Sequence, residues 1–166
     1  MVRVESDDLK PGGHEMGRVE SIHIATIAEA AMRSVAEIGA IAGVGLEGDR
    51  YASRTGSFSA KPKPGRQITL IEAEALEALE RELGLVLAPG ETRRNLVTRG
   101  VALNHLVGCE FTVGEVRLRG HELCEPCNDL ARMTGKPQIL PGLIHRGGLR
   151  AEILGSGVIR VGDSVG

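Results

Sequence analysis

The stretch CEFTVGEVRLRGHELCEPCNDLARM, residues 109–133, decides how the chain is read. Its first half is a β-hairpin around Gly114, and the second strand of that hairpin delivers two cysteines to the start of a helix. Between Cys124 and Cys127, Pro126 fixes its own φ near the helical value and pushes Glu125 towards an extended conformation, so the chain turns between the thiols. The run Asn128–Met133 then reads as a short helix, with Asn128 or Asp129 as its cap and Pro137 soon after its end. Cys127 falls at the helix N-terminus, where unpaired N–H groups and the helix dipole favour an anion. A thiol so placed should ionise more easily than a free cysteine, whose pKa is about 8.5.

Spacing alone leaves several readings of this pair open. Cys109, in the run CEFTV, reads as a buried apolar packing residue. A thioredoxin-type redox pair calls for a preceding βαβ pattern, which the sequence does not display. A structural zinc site needs four ligands, and only His121 lies near the two cysteines, so further ligands would have to come from afar. A functional thiol, as nucleophile or soft metal ligand, is one reading, and a non-catalytic module in which Cys124, Cys127 and His121 hold a structural zinc ion is the alternative.

Working outward, LRAEILGSG and VIRVGD follow as two final strands with turns at Gly155–Gly157 and Gly162, after a turn-rich loop LPGLIHRGG that bears His145 and Arg146. Upstream, ETRRNLVTRG places Arg93, Arg94 and Asn95 in succession. An extended chain would put Arg93 and Asn95 on one face and Arg94 on the other, and such an Arg–Asn pair at a pocket suits phosphate and a heterocycle edge. A plain surface strand end is the competing reading. In RQITLIEAEALEALERELG the period changes: Arg66–Ile71 is a buried strand, and Leu76, Leu79 and Leu83 share one face of a helix over Glu72–Leu83 that Gly84 stops. Before it, ASRTGSFSAKPKPG is a polar segment over residues 52–65, long for a connection, and suited either to a lid over an anion or to a solvated surface loop. RVESIHIATI is a strand in which His23 is an outward or satisfied residue rather than a ligand. The Gly-interrupted segment from Ala28 to Tyr51 reads as strands joined by turns, and LNHLVG as a one-turn connector. Residues 1–16 read as a flexible leader, and 17–166 as one domain.

Many short strands at close spacing with few helices make this a mostly β, barrel-like domain. The 166 residues suffice for one real core. A formal charge of -2 with one Tyr, two Phe and no Trp argues against nucleic acid as a partner. Of the 20 basic residues only Lys10, Lys61, Lys63 and Lys136 are lysine, and the arginines that remain offer planar forks for phosphate or carboxylate. Three cysteines, an odd number, without an apolar export segment fit a reducing cytoplasm. No window is apolar enough to cross a bilayer, so no membrane partner is expected.

In order, GRVESIHIA, GLEGDRY, RQITLIEAEAL, RRNLVTRG, FTVGEVRLRG, CEPC, GLRAEIL and VIRVGD resemble the MOSC family, domains related to the C-terminal part of molybdenum cofactor sulfurases. The resemblance covers nearly all of the chain from Gly17 onwards and implies a small stand-alone MOSC protein with a barrel built around a cysteine used in sulfur or molybdenum chemistry. It places that cysteine at Cys127, as persulfide carrier or molybdenum ligand, with Cys124 beside it as a second catalytic thiol. It places Arg93, Arg94 and Asn95 near a cofactor or anion pocket, with Arg66 and Arg146 as further cofactor-binding candidates. The implied cofactor is the molybdenum cofactor. Pyridoxal phosphate enters only at the level of the family, since no lysine stands in an evident motif for it. The implied partners are a small-molecule or cofactor ligand and a cysteine desulfurase or an electron-donor protein. Sulfurtransferase-like transfer is one expected activity, and molybdenum-dependent reduction of N-hydroxylated compounds is the alternative.

Overall fold

The computed structural model describes residues 16–166. The expected leader lies outside the described residues except for Met16. In chain order the strands are β1 (Gly17–Ile24), β2 (Arg33–Val35), β3 (Glu37–Ile41), β4 (Gly45–Leu46) and β5 (Ile68–Glu72). Helix α1 (Ala73–Leu83) separates β5 from β6 (Leu96–Arg99), and β7 (Glu110–Val113) and β8 (Val116–Leu123) follow. Helices α2 (Asn128–Thr134) and α3 (Ile139–Gly142) then precede β9 (Leu149–Ile153), β10 (Gly157–Arg160) and β11 (Ser164–Val165).

Seven of these strands close into a barrel in the order β11-β7-β8-β9-β5-β6-β1, with β1 pairing back onto β11 and β2 attached outside along β1. Closure leaves those seven without a free sheet edge. Strands β10, β3 and β4 form a separate small antiparallel sheet. Gly114 supplies the hairpin turn between β7 and β8 with φ of 55°, in the left-handed region that favours glycine.

Alternation along the strands sorts two apolar clusters. Leu70 and Leu96 point into the barrel with Val19, Ile22, Leu118 and Leu149. Their neighbours Ile71 and Val97 point outward, where Leu79, Leu130, Ile139 and Leu143 cover them. All three helices therefore pack on one outer flank. A fully covered leucine such as Leu79 contributes about 1.5–3 kcal/mol relative to an exposed one.

The helix expected over Glu72–Leu83 forms over Ala73–Leu83, and Gly84 ends it in a left-handed cap. Two expectations are corrected. β5 and β6 pair in parallel across α1, so a βαβ unit does precede the cysteines. The four residues of β6 are too few to announce a strand by period. In addition, the loop LPGLIHRGG is not turn throughout, because its start belongs to α3. Among the described residues no helix is long and apolar enough to cross a membrane.

Candidate functional site

β8 runs directly into the cysteine turn, and α2 begins at Asn128 with Cys127 itself as the capping residue, extended at φ -130° and ψ 167°. This corrects the expected cap at Asn128 or Asp129: the turn at Pro126 already delivers Cys127 in the non-helical geometry that a cap requires. The Cys127 carbonyl accepts the Ala131 N–H at 3.2 Å, and its thiol makes no cap bond. The three cysteines separate by exposure: Cys124 is buried, Cys127 exposed, and Cys109 exposed as well. Cys109 is thus not the packing residue its sequence suggested. It sits between a one-turn 3-10 helix (Leu103–Leu106) and β7, with Sγ 3.6 Å from the His105 carbonyl oxygen.

Three contacts hold the turn in place. The Cys124 N–H donates to the Gly148 carbonyl at 2.7 Å. Glu125 accepts the His145 N–H at 3.0 Å and has its ring Nδ1 at 3.2 Å. Gly147 lies so close that a Cβ there would stand 2.3 Å from the Cys124 carbonyl oxygen, which only glycine permits.

Arg94 completes the frame. It is 7% exposed, and its guanidinium donates to three backbone carbonyls: Gly147 at 2.8 Å, Thr92 at 2.9 Å and Cys124 at 2.9 Å. The fork thus ties the strand before β9, the lead into β6 and the cysteine turn together.

Cys124 and Cys127 line a small cavity of about 60 Å³ together with Arg50, Arg93, Arg94 and Arg150. Glu125 and Asp129 line it as well, so four guanidiniums face two carboxylates, and the volume is far below the 300–1,000 Å³ usual for drug-sized ligands. Arg50 is buried against Asp49, 3.1 Å from its Oδ1, and donates to the Arg93 carbonyl at 3.2 Å. Asp49 is wholly buried and also accepts the N–H groups of Ala25 and Tyr51. It fixes Arg50 while offsetting the charge.

Arg93 adopts a left-handed conformation with φ of 60°, and β6 begins only at Leu96. The alternation expected for Arg93, Arg94 and Asn95 therefore does not hold, and both arginines reach the cavity. Arg93 donates to the Ala30 carbonyl at 2.7 Å, while its Nη2 is buried without a hydrogen-bond partner among the described residues. Burial, then the neighbouring Arg50 charge, pulls its pKa below the ordinary arginine value. A buried guanidinium with a spare donor beside a second guanidinium is a place that an anion would stabilise.

Asn95 is placed elsewhere. Its Oδ1 accepts from the Thr69 N–H at 3.0 Å and hydroxyl at 3.2 Å, and its amide donates to the His23 carbonyl at 3.1 Å. It joins β5, β6 and β1 and does not line the cavity. Arg146 faces α1, where its two ion-pair contacts go to Glu82 and its Nε donates to the Gly142 carbonyl. Glu82 raises its pKa. Arg66 lies under the 52–65 segment, donating to the Phe58 and Lys61 carbonyls, with its guanidinium 5.2 Å from the Phe58 ring centre.

The structure thus brings together Cys124, Cys127, Arg93 and Arg94, and sets Arg66, Asn95 and Arg146 outside the cavity wall. Two wall arginines escaped the sequence reading. Arg50 carried a signal, an acid–base pair inside GLEGDRY. Arg150 carried none, because it reaches the site only as the cross-strand partner of Thr69 and Glu122. His121 pairs with Glu152 at 2.9 Å. Among the described residues no three His, Cys, Asp or Glu side chains converge as they would around a zinc ion.

On the far side of Arg93 and Met133 opens a hollow of about 600 Å³, lined also by His23 and Met32. Cys127 is a soft donor of the kind molybdenum takes, and Arg93, whose Nη2 has no partner among the described residues, lines both cavity and hollow. Glu29 and Glu91 also line the hollow, so Cys127 and Arg93 are the two groups that would hold a molybdenum-bearing anionic cofactor.

The fold has solved counterparts. The YuaD protein from Bacillus subtilis superposes with a TM-score of 0.75 at 16% identity, over 90% of this chain and 94% of that one. YiiM from Geobacillus stearothermophilus gives 0.69 at 16% identity, over 90% and 73%. YiiM from Escherichia coli gives 0.64 at 20% identity, over 89% and 68%. No curated protein matches the sequence significantly. The profile of the MOSC domain matches residues 53–166, more than half of the chain. The chain belongs to the MOSC family, domains related to the molybdenum cofactor sulfurases.

Proposed function

We propose that Cys127 is the working thiol of this MOSC protein and that it carries sulfane sulfur in the arginine-lined cavity. The observation that carries the reading is the pairing of exposure with charge: Cys127 is exposed, and the same cavity wall holds Arg50, Arg93, Arg94 and Arg150. Guanidinium groups in a confined site stabilise a thiolate or a persulfide anion. In the proposed transfer, the Cys127 thiolate attacks the terminal sulfur of a donor persulfide, such as that of a cysteine desulfurase. The donor leaves as a thiolate, and Cys127 holds the new S–S bond. An acceptor nucleophile then takes that terminal sulfur, and the Cys127 thiolate is restored. Where no acceptor arrives, the Cys124 thiolate attacks Sγ of Cys127, forming the intramolecular disulfide and releasing hydrosulfide. The two thiols are thereby oxidised and the sulfane sulfur reduced, so electrons balance.

A second reading takes the same cysteine as ligand to the molybdenum cofactor, with Arg93 holding an anionic group. The 600 Å³ hollow across Arg93 favours it, because the cavity alone is too small for a pterin. When bound, that group would supply two-electron reduction of N-hydroxylated compounds, with electrons from a donor protein.

Protein expressed in a host that makes the cofactor separates the two. Stoichiometric molybdenum that disappears in Cys127→Ala supports the ligand reading. Absence of molybdenum with sulfane-sulfur labelling lost in Cys127→Ala supports the carrier. Equal labelling of the wild type and that variant contradicts the carrier, and molybdenum retained in Cys127→Ala contradicts the ligand reading.

A further inference from the structure

A second hollow, of about 270 Å³, lies on the other side of Tyr51 and Phe58, whose side chains also line the thiol cavity. Its wall is formed by the turn at Gly43–Val44 and by the 51–67 segment. Its chemistry is unlike that of the surrounding surface. Arg54, Lys63 and Arg66 line it, and among the described residues no carboxylate does. That imbalance stands out in a chain with more acidic than basic residues, 22 against 20.

The cations are differently placed. Arg54 and Lys63 are exposed, whereas Arg66 is partly buried and braced. Arg66 Nη1 is committed to the carbonyls of Phe58 and Lys61, and its Nε is buried with no hydrogen-bond partner among the described residues. A buried N–H left without a partner loses its hydration for no return, and Arg66 lines this hollow with that donor unspent. Two aromatic side chains, Tyr51 and Phe58, line the same space, and Tyr51 carries the Arg50 guanidinium over its ring at 4.9 Å. Phe58 is itself flanked by guanidiniums, with Arg66 at 5.2 Å and Arg150 at 5.9 Å from its ring centre. Planar apolar surface and a confined set of cations together select a planar anion.

We infer that this hollow is a ligand site for a small aromatic or heteroaromatic anion, separate from the thiol cavity and divided from it by the Tyr51 and Phe58 side chains. The site does not depend on the reading of Cys127, since neither cysteine lines it.

The chain contains one Tyr and no Trp, so the tyrosine fluorescence of the intact protein reports on Tyr51, which the hollow shares with the thiol cavity, and variants of Lys63 and Arg66, which line the hollow alone, assign the signal to it. Phenylphosphonate, benzyl alcohol and inorganic phosphate, titrated separately, test the two halves of the inference. Phenylphosphonate changes the Tyr51 emission saturably, and the other two bind at least about tenfold more weakly, as expected when a charge-assisted hydrogen bond or the ring contact is lost. Arg66→Gln weakens phenylphosphonate by a similar factor. Because Arg66 also braces the segment, Lys63→Gln is the second variant, expected to weaken binding several-fold with the melting temperature unchanged. Cys127→Ala retains full binding, so a failed carrier role and a failed ligand site remain distinguishable. The inference is overturned if phenylphosphonate does not saturate, if benzyl alcohol or phosphate binds equally well, if neither variant weakens binding, or if Cys127→Ala abolishes it.

Discussion

Replacing Arg94 by Gln tests whether the cysteine turn is held by one buried guanidinium. Three carbonyls, those of Thr92, Cys124 and Gly147, accept from Arg94 at 2.8–2.9 Å inside a residue that is 7% exposed. Hydrogen bonds to a charged group contribute about 1.5–3 kcal/mol each, and a buried acceptor left unpaired costs about 1–3 kcal/mol. Glutamine retains donors for at most one or two of the three carbonyls, and water entering the gap returns part of the loss. A net destabilisation of about 2–4 kcal/mol follows. For a chain of this size it lowers the melting temperature by roughly 4–16 °C. The local consequence is more specific. With its carbonyl released, the Cys124 segment separates from Gly147, and the buried thiol becomes open to alkylation by iodoacetamide under native conditions. Arg94→Lys, which keeps the charge but reaches one carbonyl, falls between. Unchanged melting together with an unchanged labelling rate of Cys124 in Arg94→Gln would refute the claim that this residue positions the turn.

Other consequences are as direct. Gly147→Ala forces a Cβ to within 2.3 Å of the Cys124 carbonyl oxygen, so the turn must shift, and sulfane-sulfur loading of Cys127 should fall even where circular dichroism shows the barrel intact. Asn95→Ala removes the side chain shared by Thr69 and His23 inside the β5–β6–β1 junction and costs about 2–4 kcal/mol, measured by urea unfolding. His23 titrates below its usual value because burial disfavours the imidazolium. Near neutral pH both folded and unfolded states hold it neutral. As pH falls below about 6.5 the unfolded chain takes up the proton first, so stability declines. The decline continues towards the lower folded pKa, and His23→Gln should flatten the curve between pH 7 and pH 5.5. Cys124→Ser blocks release of hydrosulfide, so a persulfide on Cys127 should persist longer than in the wild type when no acceptor is present, followed by mass spectrometry over time.

Elements whose cause is local could be read from the sequence. Leu76, Leu79 and Leu83 with Gly84 specify α1, and Gly114 specifies the hairpin, because side-chain period and backbone freedom act within a few residues. The barrel followed from the density of short strands. What stayed hidden was set by contacts between distant segments. The parallel pairing of β5 with β6 depends on α1 packing across them, and a four-residue strand carries too little pattern to reveal it. The left-handed Arg93 upset an argument from alternation that assumed extended backbone. Arg94 was read as a ligand for an outside group, yet three of its donors serve carbonyls of this chain. Arg146 was expected among the cofactor-binding residues, and Glu82 takes it. Arg150 enters the cavity wall by register alone. Cys127 was singled out because a turn, a proline and a helix start coincide within four residues, and the structure places it exposed at the start of α2.

The most direct test of the central claim is residue-resolved mass spectrometry after the reduced protein meets a donor persulfide under native conditions. The account predicts that the mass of one added sulfur atom appears on the peptide bearing Cys127 and is absent from Cys109, although both thiols are exposed, because only Cys127 has an arginine-lined cavity. Equal loading of Cys109 and Cys127, or loading of neither, would contradict it.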